Sequence, residues 1–308
     1  MRGTIVKGIA GFYYVKPDMT DEATGAAFAA AGLPAEEPVQ CKARGVFRKD
    51  GVKPHVGDHV AFEWEDEDMD GFITEILPRT NQFIRPPIAN VDCFVIVCAA
   101  AKPAPNFQAL DQFLLMAEKE QVEILLVFNK IDKAKPEKLE ELRTIYEGLY
   151  PTFFVSAVTG EGIEELKEHL RGKQAALAGP SGVGKSTMLN AILGQEAMET
   201  GQISHKTGRG KHTTRHAELF EMPGDGGGMI FDTPGFTSFE VLEAEEDQLQ
   251  FLFPEMVPYV NQCRYDNCRH RKEPDCVIRE AVEEGKIHPS RYESYLYFLE
   301  TIQNKKKY

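Results

Sequence analysis

The segment GPSGVGKS, residues 179–186, combines closely spaced glycines with a lysine and a serine. It fits the pattern G-x-x-x-x-G-K-[ST] and lies between an apolar run, QAALA, and a helical run, TMLNAIL. In such a strand, loop and helix, backbone N–H groups and the helix amino terminus point together at phosphate oxygens. A glycine-rich turn with a surface lysine would not need this context. The segment therefore predicts a phosphate-binding loop.

Two side chains of this loop have expected roles of their own. Lys185 is expected to reach the β- and γ-phosphates of a nucleoside triphosphate, and Ser186 to bind Mg²⁺. The full set of predicted phosphate-loop residues is Gly179, Pro180, Ser181, Gly182, Val183, Gly184, Lys185, Ser186 and Thr187.

The segment DTPG, residues 232–235, directly follows the apolar run GMIF. Asp232 is the expected second carboxylate on the Mg²⁺ side, and the N–H of Gly235 is expected to face the γ-phosphate. A D-x-x-G motif alone is weak evidence for a nucleotide site. Its position after a predicted strand and downstream of the phosphate loop makes that prediction stronger.

The segment NKID, residues 129–132, ends the apolar run VEILLVF. The Asp132 carboxylate can accept hydrogen bonds from guanine N1–H and the N2 amino group, a donor pair that adenine lacks. Asn129 is expected to tie neighbouring loops together, and the Lys130 stem to cover one face of the base. Ile131 belongs to the same expected GTP-binding segment. We therefore expect GTP rather than ATP.

The segment SAVTG begins at Ser156 and ends the next apolar run, TFFV. It resembles the SAxTG loop whose backbone N–H contacts guanine O6, which adds Ser156 and Ala157 to the expected nucleotide site. Each of the four motifs follows its own predicted strand, and ligands of an open α/β sheet bind at the carboxyl ends of its strands. Their order places NKID before the phosphate loop, so we interpret the domain as a circular permutation.

The segment GRGKHTTRH, residues 208–216, lies where a switch threonine should complete the coordination of Mg²⁺. Thr213 and Thr214 both qualify, and the sequence does not choose between them. An ordinary surface loop rich in Lys, Arg and His is the alternative. After DTPG, a Ras-like enzyme carries a water-orienting glutamine, but this chain has Phe236, so slow turnover in isolation is expected.

Cys263, Cys268, His270 and Cys276 form the pattern C-x4-C-x-H-x5-C near the end of the chain. Four such ligands suit tetrahedral Zn²⁺ and leave no position for water, which predicts a structural rather than a catalytic zinc. Free thiols are the alternative. Cationic residues accompany the cluster and suggest a surface for structured RNA: Arg264, Arg269, Arg271, Lys272 and residues 305–307.

Patterns of apolar residues indicate the elements that must position these motifs. Residues 1–80 contain short strand-like runs typical of a small OB-type barrel, with an alanine-rich insert at 21–35 that predicts a loop or short helix. Residues 81–239 alternate buried strands with helices, as in an α/β doubly wound domain. Residues 240–308 contain the metal cluster and a helical stripe interpreted as core packing: Tyr292, Tyr295, Leu296, Leu299 and Ile302.

Composition limits the class of protein. The chain has 308 residues, 27% of them charged, and a formal net charge of −13. The longest apolar run, CFVIVCAAA, is shorter than the ~20 residues of a membrane helix. We expect a cytoplasmic protein without disulfides, with Cys93 and Cys98 in the core, and no membrane association.

Together these segments resemble the circularly permuted ribosome-assembly GTPases called RsgA, also YjeQ or YloQ. The resemblance covers nearly the whole chain, including GRGKHTTR, DTPGF and the ending FPE...CRYDNCRH...C. It implies a circularly permuted P-loop GTPase domain flanked by an amino-terminal OB-fold β-barrel and a carboxyl-terminal helical zinc-binding domain. It also implies binding to the small ribosomal subunit and its rRNA late in maturation, stimulation by the subunit, and release of assembly factors. His212 is the candidate replacement for the missing glutamine. We expect a monomer that binds GTP or GDP.

Two other functions fit parts of the sequence. A P-loop metabolic kinase would explain GPSGVGKS but would not need NKID and SAVTG. A regulatory GTPase that acts only on protein partners would use the barrel and the metal segment as protein-docking modules. The chain joins the barrel to the sheet just before VDCFVIVC and runs from DTPG into the metal segment, so we expect nucleotide state to alter the placement of both.

Overall fold

The computed structural model describes residues 1–32, 37–44, 47, 52–64, 71–83, 86–194, 217–224, 227–232 and 244–305. The backbone divides into two compact units. The first comprises Met1–Cys93, Lys167–Leu177 and Ile192–Phe236, and the second comprises Phe94–Leu166, Ala178–Ala191 and Thr237–Tyr308. The division into domains at residues 80 and 239 stays a prediction.

The first unit begins with a closed five-stranded barrel. Its strands are β1 (Arg2–Ile9), β2 (Phe12–Pro17), β3 (Val39–Ala43), β4 (His59–Trp64) and β5 (Gly71–Ile76). Their order is β1-β2-β3-β5-β4, and β4 pairs back onto β1, which gives the closed sheet expected of an OB-type barrel. Inward positions of the strands are fully buried and apolar: Ile5, Val15, Cys41, Val60, Phe62 and Ile73.

The alanine-rich insert forms a short helix, α1 (Glu22–Ala31), which confirms one of the two predicted alternatives. Asp21 caps its amino terminus by accepting a hydrogen bond from the Thr24 N–H at 2.9 Å. Gly32 ends the helix in the left-handed conformation, with φ of 65°.

The first unit also contains the pairs β6 (Gln82–Phe83) and β7 (Ile88–Ala89), and a sheet built on β11 (Gln174–Ala178), β12 (Glu218–Glu221) and β13 (Met229–Asp232). β11 lies parallel to β13, β13 pairs antiparallel with β12, and β12 pairs antiparallel with barrel strand β1. The sequence did not predict β12. Its pairing with β1 joins the barrel directly to the strands that lead to DTPG.

The second unit contains the strands that precede the guanine motifs. β8 (Cys93–Ala99) and β9 (Glu123–Asn129) are neighbours, and β10 (Thr152–Phe154) lies parallel to β9. Every residue of β8 is buried, including the core thiols Cys93 and Cys98. The helices that alternate with the strands are α2 (Phe107–Lys119), α3 (Pro136–Tyr146), α4 (Ile163–Leu170) and α5 (Lys185–Leu193). This alternation of strands and helices confirms the α/β fold class.

The end of the second unit is helical. Two 3₁₀ turns, Leu249–Leu252 and Val257–Tyr259, precede α6 (Val277–Glu283) and α7 (Pro289–Lys305). Tyr295, Leu299 and Ile302 are buried in one apolar cluster, and Tyr292 and Leu296 pack against it. The interpretation of this helical stripe as core packing is confirmed.

Candidate nucleotide and metal sites

The phosphate loop runs from the end of β11 to the first residue of α5, and its glycines are required by close contacts. Gly179 has φ of 140°, and a Cβ there would lie 2.2 Å from the carbonyl oxygen of Val97. Gly184 has φ of 99°, and a Cβ there would lie 2.5 Å from Nδ2 of Asn129. A side chain at either position would displace the backbone of the loop from its neighbours.

Lys185 closes the loop on itself. Its Nζ donates hydrogen bonds to the carbonyl oxygens of Gly179 at 2.6 Å and Pro180 at 2.8 Å. Burial lowers the pKa of Lys185 to about 8. An anionic phosphate near this amine would favour its charged form, which is the interaction that the motif predicts.

Asn129 joins three loops through hydrogen bonds and is almost fully buried. Its Nδ2 donates to the carbonyl oxygen of Val183 in the phosphate loop at 3.0 Å. Its Oδ1 accepts from the N–H groups of Lys130 at 2.8 Å and of Ala157, in SAVTG, at 3.0 Å. One side chain therefore holds NKID, SAVTG and GPSGVGKS together, although NKID and the phosphate loop are some fifty residues apart.

The remaining guanine-motif side chains are also held by these loops. Oδ1 of Asp132 accepts a hydrogen bond from the buried hydroxyl of Ser156 at 2.8 Å. Lys130 has φ of 69°, and its Nζ donates to the carbonyl oxygens of Gly182 at 2.6 Å and Lys102 at 2.7 Å. The Ser156 hydroxyl thus orients the carboxylate that is predicted to bind guanine.

Asp232 is the last residue of β13 and lies directly opposite Glu218 of β12. Burial raises the pKa of the Asp232 carboxyl, and the negative charge of Glu218 raises it further. Glu218 in turn pairs with Lys7 of the barrel at 2.8 Å. The other residues predicted near Mg²⁺ and the γ-phosphate lie outside the part of the chain that the structure describes: His212, Thr213, Thr214 and Gly235.

The four predicted metal ligands lie together, with their ligand atoms all within 4.8 Å of one another. Nδ1 of His270 lies 3.6 Å from Sγ of Cys263 and 3.4 Å from Sγ of Cys276, and those two sulfurs are 3.9 Å apart. Metal–sulfur bonds of about 2.3 Å in a tetrahedron give sulfur separations of roughly 3.8 Å. This Cys₃His group could therefore hold a metal ion. Burial raises the pKa of Cys268 to about 12, so metal binding must displace the thiol proton.

Groups around the cluster orient its ligands. Nε2 of His270 lies 2.8 Å from Oε1 of Gln250, an arrangement that leaves Nδ1 to face the sulfurs. The hydroxyl of Tyr292 donates to the carbonyl oxygen of His270. The Glu273 carboxylate accepts three backbone N–H groups, from Arg269, Arg271 and Lys272. Gln250 and Glu273 have no spacing signal in the sequence and were not predicted.

The basic residues beside the cluster are only partly committed to internal contacts. Arg264 pairs with Asp275 at 2.8 Å while both side chains stay more than 60% exposed. Arg271 donates to Gln303 at 3.1 Å. A solvent-facing pair of this kind contributes little to stability and leaves the guanidinium available to a partner.

Among the residues that the structure describes, none of the helices has both the length and the apolar character needed to cross a lipid bilayer.

Comparison with known proteins assigns the family. The family model described as RsgA GTPase matches residues 76–242, and that described as RsgA N-terminal domain matches residues 33–73. A relative from Agathobacter rectalis, named small ribosomal subunit biogenesis GTPase RsgA, is 46% identical over 310 residues, covering 100% of both chains.

Two solved structures share the fold over nearly the whole chain. The crystal structure of YjeQ from Thermotoga maritima is 37% identical, covers 98% of each chain and has a TM-score of 0.79. That of YloQ, described as a circularly permuted GTPase, is 30% identical, covers 99% of this chain and 95% of YloQ, and has a TM-score of 0.77. The fold is that of a circularly permuted GTPase with an amino-terminal OB-type barrel and a carboxyl-terminal helical segment bearing a Cys₃His cluster. The chain belongs to the RsgA GTPase family.

Proposed function

We propose that this chain is a Mg²⁺-dependent GTPase that binds the small ribosomal subunit, assists its late maturation and the release of assembly factors, and turns over faster on the subunit. The observation that carries the GTPase part is the Asn129 side chain, whose hydrogen bonds join the phosphate loop to both guanine motifs. A P-loop kinase would not need guanine motifs, and therefore would not need a side chain that joins them to the phosphate loop. The ribosomal part is supported by relatives named small ribosomal subunit biogenesis GTPase RsgA.

In the proposed complex, base and phosphates are bound by different loops. Asp132, oriented by Ser156, accepts hydrogen bonds from the guanine N1–H and N2 amino groups, and a backbone N–H of the SAVTG loop is the proposed donor to O6. Lys185 leaves the carbonyl oxygens of Gly179 and Pro180 to bind the β- and γ-phosphates. Backbone N–H groups of residues 180–187 bind the remaining phosphate oxygens.

Mg²⁺ supplies charge neutralisation at the β- and γ-phosphates when it is bound. Ser186 and Asp232 are the proposed residues on its side of the site, with Thr213 or Thr214 completing the set and Gly235 facing the γ-phosphate. Phe236 follows DTPG and cannot orient water, so we propose that hydrolysis is slow in the isolated protein and that His212 takes this role on the subunit.

The Cys₃His group is proposed to hold one structural zinc. Its support is a complete set of four soft ligands, with spacings that fit Zn–S and Zn–N bonds and no position left for water. The Arg and Lys residues beside it, together with the barrel, are the proposed rRNA-binding surfaces. We place the protein in the cytoplasm as a monomer that cycles between GTP and GDP.

Sedimentation with purified small subunits tests this function. Wild-type protein should co-sediment more tightly with a non-hydrolysable GTP analogue than with GDP, and subunits should accelerate GTP hydrolysis. ATP in place of GTP is the control for base selection, and Lys185→Ala is the control for hydrolysis by contaminants. GTP hydrolysis without subunit binding would favour the protein-only regulatory GTPase, and equal use of ATP would remove the guanine assignment.

A further inference from the structure

Three charged side chains form a row across adjacent strands at the end of the β12–β13 hairpin that leads into DTPG. Lys7 of β1 lies opposite Glu218 of β12, and Glu218 lies opposite Asp232 of β13. Directly opposite residues of antiparallel strands project from the same face of the sheet. The row therefore reads cation, anion, anion, and the cation belongs to the barrel.

The barrel cation neutralises the middle charge of this row. Nζ of Lys7 lies 2.8 Å from Oε1 of Glu218, and each side chain is about a third exposed. Without Lys7, Glu218 would lie opposite Asp232 without the cation that pairs with it, and like charges opposite one another repel. The pair also holds the Glu218 carboxylate toward the barrel, on the side away from Asp232.

We propose that Lys7 is a positioning residue for the Mg²⁺-side carboxylate: its ion pair with Glu218 keeps Asp232 free to face Mg²⁺ and nucleotide. The inference rests on the proposed GTPase function, in which Asp232 has that role. It gives the amino-terminal barrel a role in supporting the Asp232 carboxylate, in addition to the RNA-binding role proposed above.

A second contact places the barrel against the same end of β13. Gly57 packs so closely on Phe231, the residue before Asp232, that a Cβ there would lie 2.7 Å from the ring. Gly57 is in turn held by barrel strand β1, because its N–H donates to the carbonyl oxygen of Ile5 at 2.8 Å. The barrel thus contacts both strands of the hairpin, through charge at Glu218 and through packing at Phe231.

The other end of the hairpin provides a matched control. Lys16 of β2 forms an ion pair with Glu221, which lies opposite Met229 rather than opposite a carboxylate. Both pairs join a barrel lysine to a hairpin glutamate. Only the Lys7 pair neighbours Asp232.

The test measures, in the isolated protein, the Mg²⁺ concentration that gives half-maximal binding of a fluorescent non-hydrolysable GTP analogue. Lys7→Met should raise this concentration about threefold, the size expected for a cross-strand charge contact. Lys7→Arg should restore the wild-type value, and Lys16→Met should leave it unchanged. In a Glu218→Gln background, Lys7→Met should have no further effect, because the charge through which it acts is gone.

Equal Mg²⁺ requirements for wild type and Lys7→Met would overturn the proposal, as would an equal effect of Lys16→Met or a persistent effect of Lys7→Met in the Glu218→Gln background. Thermal unfolding of each variant, measured without nucleotide, separates this role from general destabilisation of the sheet. Failure of the wild type to bind the analogue at all would instead contradict the proposed GTPase function, so the two failures are distinguishable.

Discussion

The guanidinium of Arg291 is fully buried and forms an ion pair with the fully buried carboxylate of Asp111, 180 positions earlier in the chain. Nε of Arg291 also lies 2.6 Å from Oε1 of Glu255, and the hydroxyl of Tyr146 donates to Asp111 at 3.0 Å. The ring of Phe253 lies 4.8 Å from the guanidinium. This network fixes α7, which packs beside the metal cluster, against α2.

Replacing Arg291 by methionine is expected to lower the free energy of unfolding by about 3–5 kcal/mol, because two carboxylates are left buried without their cation. Urea denaturation followed by circular dichroism measures the change. Arg171→Met is the matched control, since Arg171 pairs with Glu168 while both side chains are more than half exposed, and it should cost no more than about 1 kcal/mol. Similar losses in the two variants would contradict the importance of the buried network.

Asp132→Asn is expected to weaken GTP binding by about 2–4 kcal/mol, because the carboxylate proposed to accept both guanine donors is replaced by an amide. The same variant should bind xanthosine triphosphate better than wild type does, since xanthine has a carbonyl where guanine has its amino group. Titration with the two fluorescent nucleotides measures both effects. Unchanged GTP affinity, or loss of both nucleotides, would argue against a direct contact between Asp132 and the base.

Nucleotide binding is expected to take up a proton near pH 8 through Lys185. Burial lowers the pKa of this amine to about 8, so close to half of it is neutral at that pH, and bound phosphate favours the charged form. Affinity should therefore fall as pH rises above about 8. Calorimetry of GDP binding at pH 8 in two buffers of different ionisation enthalpy should show uptake of about half a proton. Lys185→Arg keeps the charge without titrating, and uptake that persists in this variant would assign the proton to another group.

Gln250→Leu is expected to weaken metal binding about 10- to 100-fold, because His270 loses the partner that fixes its ring orientation. Competition with a chromogenic zinc chelator measures the affinity without any assay of GTP hydrolysis. Gln303→Leu is the control, since Gln303 forms its side-chain hydrogen bonds with Arg271 and Glu246. Zinc content near zero in the wild type would contradict the metal site itself.

Gly57→Ala is expected to destabilise the protein more than Gly11→Ala. Both glycines have φ near 90°, so an alanine at either position adopts a strained backbone. At Gly57 the added Cβ would also lie 2.2 Å from the carbonyl oxygen of Ala89, whereas at Gly11 it would meet nothing within 4 Å. Thermal unfolding of the two variants compares them, and equal losses would show that the close packing at Gly57 relaxes at no cost.

The amino-acid sequence alone was sufficient for the parts of the site that depend on local pattern. GPSGVGKS, NKID and SAVTG each combine a strand with a loop of defined composition, and the structure has the strand or helix that each pattern requires at that point. The Cys and His spacing likewise predicted a cluster, and the structure brings the four predicted ligands together; they were predictable because they lie within 14 positions of one another. The buried strands were predictable because residues on both of their faces are apolar, which gives near-continuous apolar runs in the sequence.

Only the tertiary structure decided which distant residues support those motifs. β12 has four residues, too few to show a period, and its barrel partner Lys7 lies 211 positions from Glu218. In the sequence, Arg291 is indistinguishable from an exposed charged residue of a helix. Only the structure shows that it is buried against Asp111. Gln250 has no spacing signal that relates it to His270. Local composition determines which loop can bind phosphate or metal, whereas charge neutralisation and ligand orientation depend on contacts between segments that the chain brings together only when it folds.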